Sequence, residues 1–153
     1  DIYNSFSPSI IRGGLDSENN KKRSVHEIPV LGKIAAGTPI EAIQNEVSRV
    51  SLPEELSKNG EHFGLKISGD SMIDAGIFDG DYVAVQSQSH ANSGDLIVAR
   101  VDGPAGGEAT VKHFRQEGSE VILIPANPTL SEMRYPAREV TIEGRVVTIL
   151  RKI

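Results

Sequence analysis

The feature of this sequence that most limits its fold is a series of short β-branched and apolar runs, separated at close spacing by Gly, Pro and Asp-Gly turn signals. Such runs are typical of β-strands, and the periodicity of amphipathic helices is scarce. We therefore predict a compact, mainly β domain with one or two short helical turns, near Pro53 to Leu56 and starting at Ser71. The predicted strands are Ile28 to Leu31, Phe63 to Ile67, Tyr82 to Gln86, Leu96 to Val101, Thr110 to Phe114, Val121 to Ile124 and Val140 to Ile149.

Length and composition predict one globular domain preceded by a tail. The chain has 153 residues, of which 38% are hydrophobic, and this is enough for a buried core. Residues 1–27 are rich in Ser, Asn, Gly and charged residues, so we expect an interdomain linker there and the folded domain over residues 28–153. The chain begins at Asp1 and not at a methionine. We therefore expect that an N-terminal partner domain is missing from it.

Charge and cysteine content narrow the class of function. The chain has 16 basic and 21 acidic residues, a net charge of -5, so it lacks the basic field that would hold a nucleic-acid backbone. It has no cysteine, which excludes disulfides, thiol catalysis and cysteine-bound metals and fits a reducing compartment. No apolar run approaches the roughly 18 residues of a membrane span. Asp74, Asp79 and Asp81 could suggest a calcium loop, but the glutamate expected at its end is missing, so we interpret them as turn residues. We expect a cytoplasmic protein with no membrane association, no cofactor and no metal.

The first candidate for chemistry is the run Ser68-Gly69-Asp70-Ser71-Met72, which directly follows the predicted strand Phe63 to Ile67. A serine placed where a strand gives way to a helical turn exposes its hydroxyl. Free backbone N–H groups at the start of that turn can bind the oxyanion formed during acyl transfer. Ser71 is therefore a candidate nucleophile. The same residue types are ordinary turn formers, and on its own the run equally indicates a structural turn.

The second candidate is Lys112, in the β-branched run Thr110 to Phe114. Alternation along a strand puts Lys112 on the same face as Thr110 and Phe114. If that face lies in the core, burial lowers the lysine pKa well below its usual value of about 10.4, and the neutral amine can then accept a proton from a serine. The alternative is an exposed lysine that keeps a strand edge soluble.

The third candidate is the run Gly32 to Pro39, which has small residues at its centre. Small side chains let an extended backbone lie against a nucleophile, and Gly37 has no Cβ on the leaving-group side of the Ala36-Gly37 bond. The run has the composition of a peptide that is cut. It also has the composition of a flexible turn.

Together and in this order, the three runs resemble the C-terminal domain of LexA-type repressors and of their phage-repressor and mutagenesis-protein relatives. In that family an Ala-Gly bond precedes a Ser-Gly-x-Ser-Met motif, which precedes a Val-Lys strand. The resemblance covers about Ile28 to the C-terminus and implies a β domain like those of LexA and of signal peptidases. Flanking pieces that also match are Ile28-Pro29-Val30-Leu31-Gly32, Asp74-Ala75-Gly76-Ile77-Phe78-Asp79-Gly80-Asp81 and Gly94-Asp95-Leu96-Ile97-Val98-Ala99.

The resemblance implies a serine-lysine endopeptidase that acts on its own chain. Ser71 would attack the Ala36 carbonyl, while Lys112 would take the Ser71 proton and later protonate the Gly37 amine. The supporting groups that the family implies are the oxyanion-binding backbone N–H groups of Asp70 and Ser71 and the side chains of Met72 and Thr110.

The resemblance also implies a role in the SOS response to DNA damage. The complete repressor would bind operator DNA through an N-terminal winged helix-turn-helix domain that this chain lacks. A RecA-type recombinase filament on single-stranded DNA would stimulate the cut, which separates the DNA-binding domain from the dimerising domain and inactivates the repressor. The loop Gly103 to Gly107 is longer than the family pattern and fits a hairpin extension.

A symmetric homodimer is expected as well. The family pairs its subunits through this domain, and the run Val140 to Leu150 has apolar residues on both faces, which a second subunit can cover. A central strand within one subunit is the alternative explanation of that pattern.

Two functions other than self-cleavage are compatible with parts of this sequence. A Ser-His-Asp hydrolase would combine Ser71 with His62 or His113 and with a nearby aspartate such as Asp74. Alternation places His113 on the face opposite Lys112, however, and the sequence has no Gly-x-Ser-x-Gly elbow. The alternative of a different class is a non-catalytic dimerisation module of a phage-type repressor or mutagenesis protein. Incubation at alkaline pH distinguishes the two, because only self-cleavage yields fragments.

Overall fold

The computed structural model of the chain describes residues 25–31, 46–57, 60–102 and 109–151, and within these ranges the protein is mainly β. The helical elements in these ranges are one α-helical turn, α1 (Glu54–Ser57), and two 3₁₀ turns at Ile73–Ala75 and Ala137–Glu139. The strands are β1 (Val25–Leu31), β2 (Glu46–Pro53), β3 (His62–Lys66), β4 (Tyr82–Ser87), β5 (Leu96–Val101), β6 (Ala109–Glu117), β7 (Glu120–Ile124), β8 (Met133–Pro136) and β9 (Val140–Leu150).

The predicted fold class is confirmed. Each of the seven predicted strands has its counterpart, whereas β2 and β8 were not predicted. The turn predicted near Pro53 to Leu56 is α1, and the helical turn predicted to start at Ser71 is the 3₁₀ turn that begins two residues later. β1 starts at Val25, inside the predicted linker, whose residues 1–24 lie outside the described ranges. The predicted cut site, Ala36 and Gly37, and the loop Gly103 to Gly107 also lie outside them.

The strands form one open sheet in the order β2-β1-β3-β4-β9-β5-β6-β7-β8. Neighbouring strands are antiparallel with one exception among the described pairs, since β1 and β3 run parallel, with Val30 beside Gly64 and Leu31 beside Leu65. The carboxyl ends of these two strands therefore lie at the same edge of the sheet. β3 continues from that edge into the segment that carries Ser71.

The core brings distant parts of this sheet together. One buried cluster contains Phe63 of β3, Met72 of the following loop and Val111 of β6, although β4, β9 and β5 separate β3 from β6 in the sheet order. The sheet must therefore curve strongly enough for β6 to pack against the loop after β3. A second cluster includes Phe114 of β6 and Leu123 of β7, so β6 is buried on both sides.

No helix within the described ranges has the length and apolar character that crossing a membrane requires.

Candidate active site

Ser71 lies in the loop between β3 and β4, whose backbone conformation is fixed by a glycine with positive φ and by local hydrogen bonds. Gly69 has a φ of 92°, a backbone conformation that residues with a Cβ rarely adopt, and its N–H donates a 2.8 Å hydrogen bond to Asp79 Oδ1. Met72 is only 2% exposed and packs in the large core cluster. Because Met72 anchors the loop from inside, the neighbouring Ser71 is left at the surface of the core, half-buried.

Lys112 reaches Ser71 from β6. Its side chain is buried, with 7% exposed, and Nζ lies 3.1 Å from Ser71 Oγ and donates a 2.6 Å hydrogen bond to Thr110 Oγ1. The prediction that Thr110 and Lys112 share a face of the strand is thus confirmed. Among the described residues, Lys112 is the only one whose side chain hydrogen-bonds Ser71 Oγ.

Burial lowers the pKa of Lys112 below its ordinary value of 10.5, because an ammonium group loses hydration in the core. In the described part of the chain, no carboxylate lies within ion-pairing distance of Nζ to oppose this effect. The site therefore shifts the protonation equilibrium of Lys112 toward the neutral amine. A neutral amine has a lone pair that can accept the Ser71 proton while an N–H remains bonded to Thr110.

The backbone N–H groups of Asp70 and Ser71 are free of partners within the described ranges. The loop instead uses neighbouring groups for its own hydrogen bonds, for example Ala75 N–H to Met72 O at 3.0 Å and Ile73 N–H to Asp70 O at 3.4 Å. Two adjacent donors beside a serine hydroxyl are the kind of groups that can stabilise an oxyanion. Their role in binding one stays a prediction.

The segment Ala126-Asn127, which the sequence analysis did not identify as part of the site, holds this loop in place. The Ala126 N–H donates a 2.8 Å hydrogen bond to Ser71 O, and the Asp74 N–H donates a 2.7 Å bond to Ala126 O. The side chain of Asn127, 7% exposed, donates from Nδ2 to Asp70 O at 2.9 Å. The available sequence signal was the Asn127-Pro128 dipeptide, which marks a turn but does not say what the turn contacts.

The histidines proposed for a Ser-His-Asp arrangement are not bonded to Ser71. His62 lies on β3 with Nδ1 3.1 Å from Gly60 O, and the half-buried His113 makes no described hydrogen bond to Ser71. Asp79 and Asp81, considered above for calcium, accept backbone N–H bonds within the loop, as expected of turn residues. In the described ranges no group of three His, Asp or Glu side chains is placed to hold a metal ion.

The fold thus brings together, from two distant parts of the sequence, five of the predicted site residues, namely Asp70, Ser71, Met72, Thr110 and Lys112. The predicted substrate residues Ala36 and Gly37 lie outside the described ranges.

Comparison with known proteins agrees with this arrangement. The family model described as Peptidase S24-like matches residues 29–147, which include all five residues just named and well over half of the chain. The LexA repressor of Pelagibacter ubique (strain HTCC1062) is 50% identical over 151 residues, which cover 99% of this chain and 65% of the relative. The chain therefore spans slightly less than two thirds of that relative's length. On the extent of the family match, the chain belongs to the Peptidase S24-like family.

Proposed function

We propose that this chain cuts its own backbone between Ala36 and Gly37, with Ser71 as nucleophile and Lys112 as general base. The observation that carries the proposal is the 3.1 Å approach of Lys112 Nζ to Ser71 Oγ, made by a buried lysine whose pKa is lowered. The neutral amine takes the Ser71 proton as Oγ attacks the Ala36 carbonyl, and the ammonium then protonates the Gly37 amine as the peptide bond breaks. Water completes the reaction by hydrolysing the Ser71 ester.

The direction of the strands supports cleavage within one chain. Because β1 and β3 are parallel and Leu31 lies beside Leu65, the chain beyond each of these residues starts from the same edge of the sheet. Ala36 comes five residues after Leu31, and Ser71 comes six residues after Leu65. Five residues of extended chain span up to about 17 Å, and neighbouring strands lie only about 4.8 Å apart. The proposed substrate and its nucleophile are therefore tethered to adjacent strands by short segments of similar length.

The likeness to a LexA repressor extends the proposal to regulation. In a longer form of this protein, an N-terminal domain would bind operator DNA and the present domain would pair the subunits. A cut at Ala36-Gly37 would separate the two and lower affinity for the operator. A RecA-type filament on single-stranded DNA would accelerate the cut, which makes the protein a repressor of the SOS response.

The experiment that tests the chemistry is incubation of the purified chain at alkaline pH, followed by intact-mass measurement. We expect two fragments of 36 and 117 residues from the 153-residue chain. Ser71→Ala and Lys112→Ala should each slow their appearance by at least about 100-fold. Lys112→Arg should be equally inactive, because a guanidinium does not lose its proton in this pH range.

Matched controls lie near the site, with Ser68 on the same loop as Ser71 and Lys66 at the end of β3. Ser68 and Lys66 are exposed, so Ser68→Ala and Lys66→Ala should cut at the rate of the unaltered chain. Circular dichroism should show that all five variants remain folded. Two outcomes would contradict self-cleavage and favour the non-catalytic dimerisation module. One is that Ser71→Ala is cut at the normal rate, and the other is that the unaltered chain stays intact under every condition tested.

A further inference from the structure

The connection between β7 and β8 contacts the nucleophile loop at a position that the proposed dyad does not use. Its residue Asn127 is 7% exposed, and its Nδ2 donates a 2.9 Å hydrogen bond to the backbone carbonyl oxygen of Asp70. This bond joins a buried side-chain amide to a residue 57 positions earlier in the chain, directly beside Ser71, so it requires an explanation beyond the fold of the turn that carries Asn127.

The orientation of the Asn127 amide is fixed by its other partner. Oδ1 accepts two hydrogen bonds from Thr129, one from the backbone N–H at 2.9 Å and one from Oγ1 at 2.8 Å. A flipped amide would turn its NH₂ group toward the Thr129 N–H and its oxygen toward the Asp70 carbonyl, which places two donors and two acceptors against each other. The donor of Asn127 therefore faces the Asp70 carbonyl.

This bond, which is shorter than the 3.4 Å bond from the Ile73 N–H to the same oxygen, helps to set the direction of a second group. The Asp70 carbonyl and the Ser71 N–H belong to one planar peptide, and the described peptides are all trans. In a trans peptide the C=O and N–H point in opposite directions. Holding the carbonyl toward Asn127 therefore aims the Ser71 N–H away from it, and this N–H has no acceptor among the described residues. A hydrogen bond to the carbonyl also polarises the peptide and strengthens its N–H as a donor.

We infer that Asn127 is a positioning residue for self-cleavage, which holds the Asp70-Ser71 peptide so that the Ser71 N–H can bind the oxyanion formed at the Ala36 carbonyl. The inference rests on the proposed function. Neighbouring bonds hold the same loop from the same side, since the Ala126 N–H donates to Ser71 O at 2.8 Å. Asn127 differs from Ala126 in that it acts on the peptide whose N–H lies beside the nucleophile.

The test compares Asn127→Leu, which keeps the size of the side chain and removes its donor, with the unaltered chain. The rate of fragment formation is measured by mass spectrometry from neutral to alkaline pH. Loss of one oxyanion donor costs about 100- to 1000-fold in other enzymes, so a misdirected donor should lower the plateau rate by about 10- to 100-fold. The midpoint of the pH profile should not move, because Asn127 makes no bond to Lys112.

The matched control is Asn92→Leu, which changes an exposed asparagine in the connection between β4 and β5 and should leave the plateau unchanged. Amide spectra recorded in a Lys112→Ala background, where no cutting is expected, provide a second readout. The Ser71 amide nitrogen resonance should shift on Asn127→Leu, because its peptide loses the hydrogen bond to the carbonyl. If Asn127→Leu does not fold, Asn127→Ala is judged by the same two measurements.

Failure of this inference is distinct from failure of the proposed function. If the unaltered chain is cut through Ser71 but the folded Asn127 variants keep the normal plateau, Asn127 does not position the oxyanion donor. If the midpoint of the pH profile moves while the plateau stays, Asn127 acts on the lysine and the inference is overturned. If Ser71→Ala is cut normally, the proposed function itself is wrong.

Discussion

At the scale of single residues, Lys112 is costly for the fold and useful for the proposed chemistry. Its nitrogen is buried without a carboxylate partner in the described ranges, and desolvation penalises its charged form. Two hydroxyl groups, Ser71 Oγ and Thr110 Oγ1, satisfy its nitrogen. A hydroxyl can accept a hydrogen bond from an ammonium group and can also hydrogen-bond to a neutral amine, whereas a carboxylate would stabilise the protonated lysine. The surroundings therefore suit a base that must release its proton before it acts.

The first prediction follows from the direction of that pKa shift. Cleavage should accelerate as pH rises and Lys112 loses its proton, and then level off once the amine is neutral. Because burial lowers the pKa, the midpoint of the rise should lie below 10.5. First-order rates measured by intact mass between pH 6 and about 11 check this. A rate that does not change over this range, or new termini other than Ala36 and Gly37, would contradict a lysine base acting on this bond.

His62 predicts how stability depends on pH. Burial lowers the pKa of His62 below 6.5, the bond with the Gly60 carbonyl opposes this shift, and the charge of His26 adds to it. The unfolded chain therefore binds a proton near pH 6.5 that the folded chain takes up only at lower pH. The free energy of unfolding therefore shows no loss from His62 above pH 6.5. It falls as pH decreases through the interval between the pKa of His62 in the unfolded chain and its lower pKa in the folded chain.

Urea unfolding of His62→Gln checks this effect. The difference in free energy of unfolding between pH 7.5 and 5 should be smaller in His62→Gln than in the unaltered chain. His90→Gln, which changes an exposed histidine, should keep the full difference. An identical pH dependence in all three proteins would show that His62 does not contribute.

At the scale of elements, the sequence predicted the central strands and missed those at the two edges. β2 and β8 are the first and last strands in the sheet order. Most of their described residues are at least partly exposed to solvent, each strand contains a proline, and neither has a continuous apolar run. The hydrophobic periodicity that identified the other strands is therefore weak in these two. β2 and β8 thus depend on hydrogen bonding to β1 and β7, respectively, for their strand conformation.

The candidate site divides in the same way. Ser71 and Lys112 stand in local motifs, and alternation alone placed Thr110 beside Lys112. Asn127 could not be predicted, because its effect depends on a contact with Asp70 that only the folded chain creates. The curvature that brings β6 against the loop after β3 is likewise a property of the whole sheet.

Gly144 provides a prediction about how β9 fits between its neighbours. It lies opposite Ser87 of β4 and Val98 of β5, and a Cβ at this position would overlap the Gln86 carbonyl oxygen and lie 2.6 Å from Val85 Cγ1. Backbone cannot yield at this point without breaking the ladder. Gly144→Ala should therefore reduce the free energy of unfolding by at least about 2 kcal/mol.

The measurement is the midpoint of urea unfolding. Thr141→Ala, at an exposed position on the same strand, is the control and should change stability by less than about 0.5 kcal/mol. Equal stabilities of Gly144→Ala and the unaltered chain would show that β9 can move away from β4.

At the scale of the whole molecule, the apolar residues of β9 are covered by the subunit itself and do not require a dimer. β9 pairs with β4 on one side and β5 on the other, and Val146 and Val147 pack against different clusters of the same subunit. The apolar residues on both faces of this run are therefore explained by a central strand, the alternative left open by the sequence. The proposed homodimer depends instead on the likeness to a LexA repressor.

We expect the dimer in solution. Sedimentation equilibrium at micromolar concentrations should give a mass of about twice the 16.5 kDa of one chain. A constant mass of 16.5 kDa over that range would contradict dimerisation of this domain.

The last prediction is that each Ser71 cuts mainly its own chain, even within a dimer. The parallel pairing of β1 with β3 starts the chain that leads to Ala36 and the chain that leads to Ser71 at one edge of one subunit, so the tether supplies a high local concentration of substrate. The first-order rate should therefore be independent of protein concentration. Mixing a Ser71→Ala chain with a chain that keeps its dyad but has a blocked cut site tests the same point. We expect the Ser71→Ala chain to stay intact, and its efficient cleavage would show that the reaction runs between subunits.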